Sequence, residues 1–491
     1  MAAPARAVAW LRNDLRLLDN QVFWYPELLK AKELLVVYCV DPRHYERSRW
    51  GDHRRTGPHR ARILAGALEE LGRSLRAAGS DLLVLRGRPE ELLPPLLQEG
   101  HLLAFQREEA HEEQAVEAAL LGRLGAGVAV RSHAGQTLLH RDDLGWDPEA
   151  ALPLPFGKFY HETCASVLPR EELPAPRPGQ LPSPPAGLDE HEGAVAAAAE
   201  QLAAHMSFPP EAPEPHPAAA FSWRGGEAAA LAQLGAWCQE RGLGQYQATR
   251  NQLHGEASGS RLSPWLALGC LSPRTVYWRA TEFERDAARA RRRAGGDGRG
   301  FEHVRKFVFQ LCWRDYFHFY VARFGRRVFF LTGPARRERP WKTDEEAARR
   351  WREGTTGVPL VDALMRELRQ TGWMSNRGRY VVASYLVFYL NLDWRIGADW
   401  FESLLVDHDV CSNYGEWASM ANVAVDLGDR YPLGLKGRGP TSGRLPGAHG
   451  GGGDPWAKGA SEGDAVFDPW EQAERYDRHE AYVRKWLPEL A

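Results

Sequence analysis

No stretch of the sequence reaches about 18 consecutive apolar residues, the length a membrane-crossing helix needs, so no bilayer span is expected. The chain passes from MAAPAR almost directly into AVAWL, with neither an apolar leader core nor a long Arg/Ser-rich transit stretch. The expected location is therefore intracellular, in cytoplasm or nucleus. Cysteine is scarce. Cys39, Cys164, Cys238, Cys270, Cys312 and Cys411 include no C-x-x-C pair, which argues against a zinc site or a disulfide framework and reads as buried free thiols. Net charge is only −2, so the molecule as a whole is no polybasic binder. Arginine is uneven, however, with clusters at Arg285, Arg289, Arg291–Arg293, Arg326–Arg327 and Arg336–Arg339. A local basic face of this kind can meet phosphates, and each cluster also reads as a solvated helix surface. No G-x-G-x-x-G follows the first apolar run, so a dinucleotide held at the first turn in the usual way is not expected.

What is present is length and order. At 491 residues, 44% hydrophobic and 26% charged, the chain exceeds one ordinary core and predicts at least two domains. AVAWL (7–11), LLVVYCV (34–40), DLLVLRG (81–87), LLAFQRE (102–108) and VAVRSHA (128–134) read as buried strands. Between them lie segments with apolar residues at three- and four-residue spacing. This βαβ rhythm predicts an α/β domain over 1–135, a Rossmann-like parallel sheet with helices on both faces. Residues 136–220 read as a Pro-rich interdomain connector with one short helical island, EGAVAAAAEQLAAHM. Strand signals fade after Phe221, and 221–432 predicts an all-α domain. Residues 433–464 are Gly-rich and read as a disordered loop, before a C-terminal helical segment over 465–491.

Several segments carry a resemblance in order and spacing: AWLRNDLRLLDN and YCVDPRHY near the start, YQATRN (246–251), SRLSPWLALGCLSPR (260–274), LCWRDYF (311–317), TGVPLVDALMREL (356–368), TGWMSNRGR (371–379), LDWRIGADWFESLLVDHDVCSNYGEW (392–417) and YVRKWLPEL at the end. Together they resemble the photolyase–cryptochrome family, most closely its cryptochrome DASH branch. The resemblance implies that the helical domain is a C-terminal FAD-binding domain and the α/β domain an antenna domain.

Bound FAD is a pyrophosphate dianion that needs hydroxyl and backbone donors. Ser260, Arg261, Leu262 and Ser263 precede or join a helix start at Pro264 and match the family's pyrophosphate-binding segment. Gly259 stands where the family usually has one more hydroxyl, and the plain alternative is an ordinary Ser-Pro cap. Asp407 and Asp409 lack a partner cluster for a metal, so none is expected. In the family the matching pair lies beside the isoalloxazine and ribityl groups, and Arg379 matches the partner of the first. Tyr246, Arg314, Asn376 and Asn413 match further flavin contacts, Asn413 facing flavin N5. Tryptophan is abundant, 18 residues against 5 methionines. Trp341, Trp394 and Trp417 match an electron-transfer chain, the alternative being core packing.

The resemblance also implies a pocket into which a dimer is flipped from DNA. Trp313 and Trp373 match its stacking walls, and Arg250 and Arg377 match residues near the lesion or its phosphates. Asn376 and Tyr380 stand where the (6-4) repair branch has histidines, which argues against (6-4) repair. Two departures weaken the repair reading: Gln310 replaces the pocket glutamate, and Ser419 replaces an aromatic wall. Glu108 falls where a carboxylate holds the pterin of a 5,10-methenyltetrahydrofolate antenna; the alternative is a solvated acidic helix start. The expected activity is that of a monomeric deoxyribodipyrimidine photolyase acting on cyclobutane dimers, mainly in single-stranded DNA. The competing reading is a non-repairing blue-light photoreceptor or DNA-binding regulator. A dark flavin oxidoreductase lacks a nicotinamide motif.

Overall fold

The computed structural model describes residues 3–186, 216–219, 221–239, 241–253, 259–293, 302–425 and 467–490. The helical island at 192–206 and the Gly-rich segment 433–464 lie outside the described residues.

The five apolar runs form β1 (Arg6–Leu11), β2 (Glu33–Val40), β3 (Leu82–Arg86), β4 (Leu102–Gln106) and β5 (Ala129–His133). All pair in parallel, in the order β3-β2-β1-β4-β5. Val8 faces Leu35 on one side and Leu103 on the other. The two-residue period of a strand divides β1. Val8 and Trp10 pack with Val37, Phe105 and Leu120 on one face. Ala7, Ala9 and Leu11 join a core that takes in α1 (Pro58–Ala78) and continues to Leu311 and Phe317 of the helical half. Sheets covered on both faces have strands that read as unbroken apolar runs. Replacing a fully buried residue such as Trp10 by Ala costs about 3–5 kcal/mol. Pro58 opens α1 and Gly79, at φ 102°, closes it in the left-handed region. α2 (His111–Leu121) follows β4.

From residue 221 the described residues contain helices and no strand: α3 (Glu227–Trp237), α4 (Ser263–Ala267), α5 (Pro273–Arg293), α6 (Glu302–Phe324), α7 (Glu345–Glu353), α8 (Pro359–Thr371), α9 (Asn376–Ser384), α10 (Trp394–Leu404), α11 (Val410–Met420), α12 (Pro469–Tyr476) and α13 (Ala481–Trp486). α6 is buried on several sides, through Phe307, Leu311, Phe317 and Tyr320, which makes it the central rod. The helical run expected over RYVVASYLVFYLNLDW is broken. After α9 the backbone widens into a π turn at Tyr385–Tyr389, and Asn391 turns the chain at φ 53°. Asp393 then accepts the Arg395 amide at 2.9 Å, restarting the chain as α10. An Asp side chain that bonds its own backbone favours a cap over a helix interior. None of the helices among the described residues is long and apolar enough to cross a membrane.

Sheet and helices meet through buried polar contacts. Asp315 of α6 accepts the Leu138 and Leu139 amides, each at 2.8 Å. Arg274 gives Nε and Nη2 to Asp19, both at 2.8 Å. Gly269, at φ 68°, lies against the turn after β1; a Cβ there would fall 1.8 Å from the Asn13 carbonyl oxygen. Only glycine permits that approach.

Candidate functional site

Two helix starts, the Ser260–Ser263 segment and the middle of α6 converge on a cavity of about 350 Å³ in the helical half. Ser375 caps α9 by accepting the Gly378 amide at 3.1 Å, which places Asn376 and Arg379 on the first turn. Asp409 caps α11 by accepting the Ser412 amide at 2.8 Å, which presents Asn413, Glu416 and Trp417 along one wall. The Ser260–Ser263 segment closes the third side; Arg261 sits there in a left-handed conformation, φ 56°. α6 supplies the fourth with Phe307, Gln310, Trp313, Arg314 and Phe317.

Two carboxylates sit inside, each with cationic or hydroxyl partners. Arg379 Nη2 donates to both oxygens of Asp407, at 2.9 and 2.8 Å, and Ser263 Oγ donates at 2.7 Å. Asp409 accepts from His318 Nε2 at 2.8 Å and has Arg314 Nη2 at 3.4 Å. Burial alone would raise the Asp409 carboxyl. The His318 ring, Arg314 and the Ser412 amide outweigh burial and hold it well below the usual carboxylate range. His318, Asp409 and Cys411 lie close enough to group around an ion. Burial keeps the Cys411 thiol protonated, however, and Asp409 is committed to donors, which is a poor ligand set.

Asn413 spends its amide nitrogen on the Ala398 carbonyl at 2.9 Å, leaving Oδ1 as the acceptor. His408 also lines the cavity. Burial, then the Arg60 guanidinium, push its imidazole down to about 4, so the ring is neutral at pH 7, and its buried Nδ1 has no hydrogen-bond partner.

Every residue named from the sequence as a flavin contact lines this one cavity: Tyr246, Ser260, Arg261, Leu262, Ser263, Arg314, Asn376, Arg379, Asp407, Asp409 and Asn413. Gln310, Trp313, Trp373, Arg250 and Trp417 line it too. Arg377 is not among the lining residues. It donates to Asn251 at 2.9 Å and packs its guanidinium over Tyr476 and Phe467 of the C-terminal segment. Trp313 stacks on Phe156 with ring centroids 3.5 Å apart, so one of its faces is already covered. Trp373 packs against Trp223 at 5.0 Å, with Arg379 over its ring at 5.3 Å.

Glu416 was not singled out in the sequence. It lines the cavity and accepts the Tyr380 hydroxyl at 2.9 Å. The pair joins positions 36 apart, and no local pattern announces it.

Of the three tryptophans, Trp417 borders the cavity and Trp394 is fully buried, donating Nε1 to the Leu331 carbonyl at 3.1 Å. Trp341 is half-buried under the Arg339 guanidinium, 4.7 Å from its ring. All three belong to or pack against one core. Trp351 is a fourth candidate, edge-on to Trp417 at 6.3 Å and fully buried. Gly397 lets Trp417 in: a Cβ there would lie 2.1 Å from its ring.

Glu108 is buried, so it is not a solvated helix start. Asn13 Nδ2 donates to it at 3.4 Å and Gln136 Nε2 donates to its other oxygen. Burial pushes its carboxyl up to about 8, against the pull of Arg12. The Gln136 carbonyl accepts from Arg314, so a polar path runs from Glu108 to the cavity.

Comparison with known proteins agrees with this architecture. Residues 7–178 match the DNA photolyase family, and residues 307–491 match the FAD binding domain of DNA photolyase. Cryptochrome DASH of Danio rerio is 37% identical over 495 residues, spanning 100% of this chain and 84% of that protein. Cryptochrome DASH of Gloeobacter violaceus is 38% identical over 488 residues, spanning 99% and 86%. A solved cryptochrome from Synechocystis superposes with a TM-score of 0.81 at 32% identity, covering 100% of this chain and 90% of the other. With full-length relatives at this identity, a five-stranded parallel sheet and a helical FAD-binding domain, the chain belongs to the photolyase–cryptochrome family, in its cryptochrome DASH branch.

Proposed function

We propose that this chain is a blue-light-dependent FAD flavoprotein that repairs cyclobutane pyrimidine dimers, mainly in single-stranded DNA, as a slow monomeric photolyase. The observation that carries the reading is one cavity in which the flavin-type residues stand beside Gln310, Trp313, Trp373 and Arg250. The donor set suits FAD. Ser260, Arg261 and Arg379 offer hydroxyl and cationic donors to a dianion, and Asn413 offers a neutral acceptor to a ring N–H. His408 adds a buried ring nitrogen that has no protein partner. Bound FAD supplies light absorption and the one-electron exchange that opens the cyclobutane ring.

The chain's own part is positional and electrostatic. Arg250 places positive charge for a phosphate, and Trp373, flanked by Trp223 and Arg379, lines the wall where a base would stack, an interaction worth roughly 1–3 kcal/mol per base. Gln310 donates an amide N–H to a pyrimidine carbonyl but transfers no proton. The Tyr380–Glu416 pair holds the exchangeable proton nearest in kind to the missing glutamate's. Trp417, Trp394 and Trp341 form the route for re-reducing the flavin. In this proposal Glu108, hydrogen-bonded through Gln136, grips the pterin of 5,10-methenyltetrahydrofolate as antenna.

The test is repair of a dimer-bearing single-stranded oligonucleotide by FAD-loaded protein under blue light with reductant. Light-dependent loss of dimer, faster in Gln310→Glu, supports the reading. No repair despite photoreducible FAD overturns it and leaves the photoreceptor or DNA-binding regulator reading. Two observations favour that alternative: the neutral Gln310, and the covered face of Trp313.

A further inference from the structure

A second cavity, also about 350 Å³, opens between the sheet end, the connector and Arg274 of α5, and shares no lining residue with the first. It lies beyond the carboxyl ends of two adjacent strands. Arg107 follows the last residue of β4, and Ser132 and His133 end β5. Open α/β sheets take ligands outside such strand ends where the strand order reverses, which here is between β1 and β4, one strand from this cleft.

Charge in this cleft is graded by depth. Arg274 and Arg141 lie inside, with side chains 8% and 15% exposed. The lining carboxylates sit at the rim: the Asp142 side chain is 71% exposed, and Glu171 is exposed as well. Arg141 gives Nη2 to Asp147 and Glu149 at 3.4 and 3.2 Å, while its buried Nη1 has no hydrogen-bond partner. Burial, then neighbouring arginines, push His133 down to about 3 and lower His140, so both imidazoles are neutral near pH 7. The lining residues place no carboxylate at depth, but Arg274 is already paired with the fully buried Asp19, so Arg141 is the inner guanidinium with a donor to spare. An anion meets guanidinium and imidazole donors. Tyr25, edge-on to His133 at 6.0 Å, and Leu173 add apolar surface beside them.

We propose that this cleft binds a phosphate monoester of the mononucleotide class, its dianion against Arg141 and Arg107 and its planar group over Tyr25. Guanidinium groups suit phosphate through fixed, charge-assisted donors. The site is separate from the flavin-type cavity, and its occupancy does not depend on repair.

The experiment is isothermal titration of the FAD-loaded full chain, in phosphate-free buffer, with AMP, inorganic phosphate and adenosine in turn. AMP is expected to saturate one site, inorganic phosphate to bind the same site more weakly, and adenosine not to bind. Arg141→Gln and Arg107→Gln should each weaken AMP about tenfold or more, the loss expected for a hydrogen bond to a charged group. Flavin absorbance should be unchanged in both, and Arg88→Gln, outside the cleft, should bind as the parent does. Arg107 tests the idea even if Arg141→Gln unfolds, because its ion pair to Glu149 spans 3.6 Å and sits near the surface. The proposal is overturned by absence of saturable heat up to about 10 mM AMP, or by undiminished AMP affinity in both variants. Inorganic phosphate binding as tightly as AMP would assign the cleft to free phosphate and overturn the ester. Displacement of AMP by an oligonucleotide lacking terminal phosphate would assign it to the DNA backbone.

Discussion

Arg379 is the cation that makes a charged Asp407 tolerable inside the helical half. The Asp407 side chain is 4% exposed, and Arg379 reaches both its oxygens from a position 25% exposed. Arg379→Gln removes the charge partner and leaves the carboxylate with the Ser263 hydroxyl. Breaking one side of a buried pair costs about 3–5 kcal/mol. Solvent reaches the Arg379 side, which puts the expectation near ~3 kcal/mol, roughly a hundredfold in the folded-to-unfolded ratio. Most of that loss is the orphaned charge rather than the lost attraction. Adding Asp407→Asn should therefore recover much of it, so that the double variant is more stable than Arg379→Gln alone. The assay is urea unfolding followed by tryptophan fluorescence, run on apoprotein and on FAD-loaded protein. The difference between the two forms reports the share that belongs to ligand binding. An Arg379→Gln cost below about 1 kcal/mol, or a double variant weaker by the sum of its single changes, would refute the reasoning.

Three other outcomes are expected. Burial raises Glu108 from 4.5 to about 8, so the folded state holds its proton more tightly than the unfolded chain does. Its contribution to stability is thus complete below the ordinary carboxylate range and lost as pH climbs through about 8. Glu108→Gln should raise the thermal midpoint at about pH 9 and change it little at about pH 4; equal shifts at both would contradict the assignment. Glu416→Gln should slow dimer repair, and Gln310→Glu should speed it by up to about 10²–10⁴-fold if proton donation limits the parent; steady-state rates under saturating light decide. Trp417→Phe should slow flavin photoreduction seen by transient absorption. A comparable loss in Trp351→Phe but not in Trp394→Phe would redirect the route through the 6.3 Å contact.

The sheet was legible because β1, β2 and β4 are covered on both faces and carry short, largely apolar runs, while β5 at the edge is nowhere fully buried; β1 to β5 fall within a residue or two of the runs. The long helices followed from their period for the same reason. The break after Ser384 was hidden, since Tyr385–Tyr389 keeps helical spacing, and only Asn391 and Asp393 mark the turn. At the site, motif order led to residues that share one cavity although they come from segments far apart in sequence. Motif order could not show that Arg377 turns toward Tyr476, because that partner belongs to a helix nearly 100 residues on. Nor could it show the meeting of Tyr380 with Glu416, or that Phe156 lies on Trp313. Such contacts depend on helix packing, which a periodicity does not encode.

The sheet face formed by Ala7, Ala9 and Leu11 shares its core with Leu311 and Phe317. A core shared in this way predicts that the two halves unfold together rather than as beads on a string. A fragment cut near residue 135 would keep α1 against that core but lose the helical-half side of it, Leu311 and Phe317 included. Such a fragment exposes apolar surface that invites self-association, and a helical half cut after Leu139 would carry Asp315 as a buried carboxylate without its two amide donors. The same continuity fixes the separation between Glu108 and the flavin-type cavity. A chromophore held at the one would keep a constant distance and orientation to a chromophore held at the other, the geometric condition for efficient transfer of excitation energy.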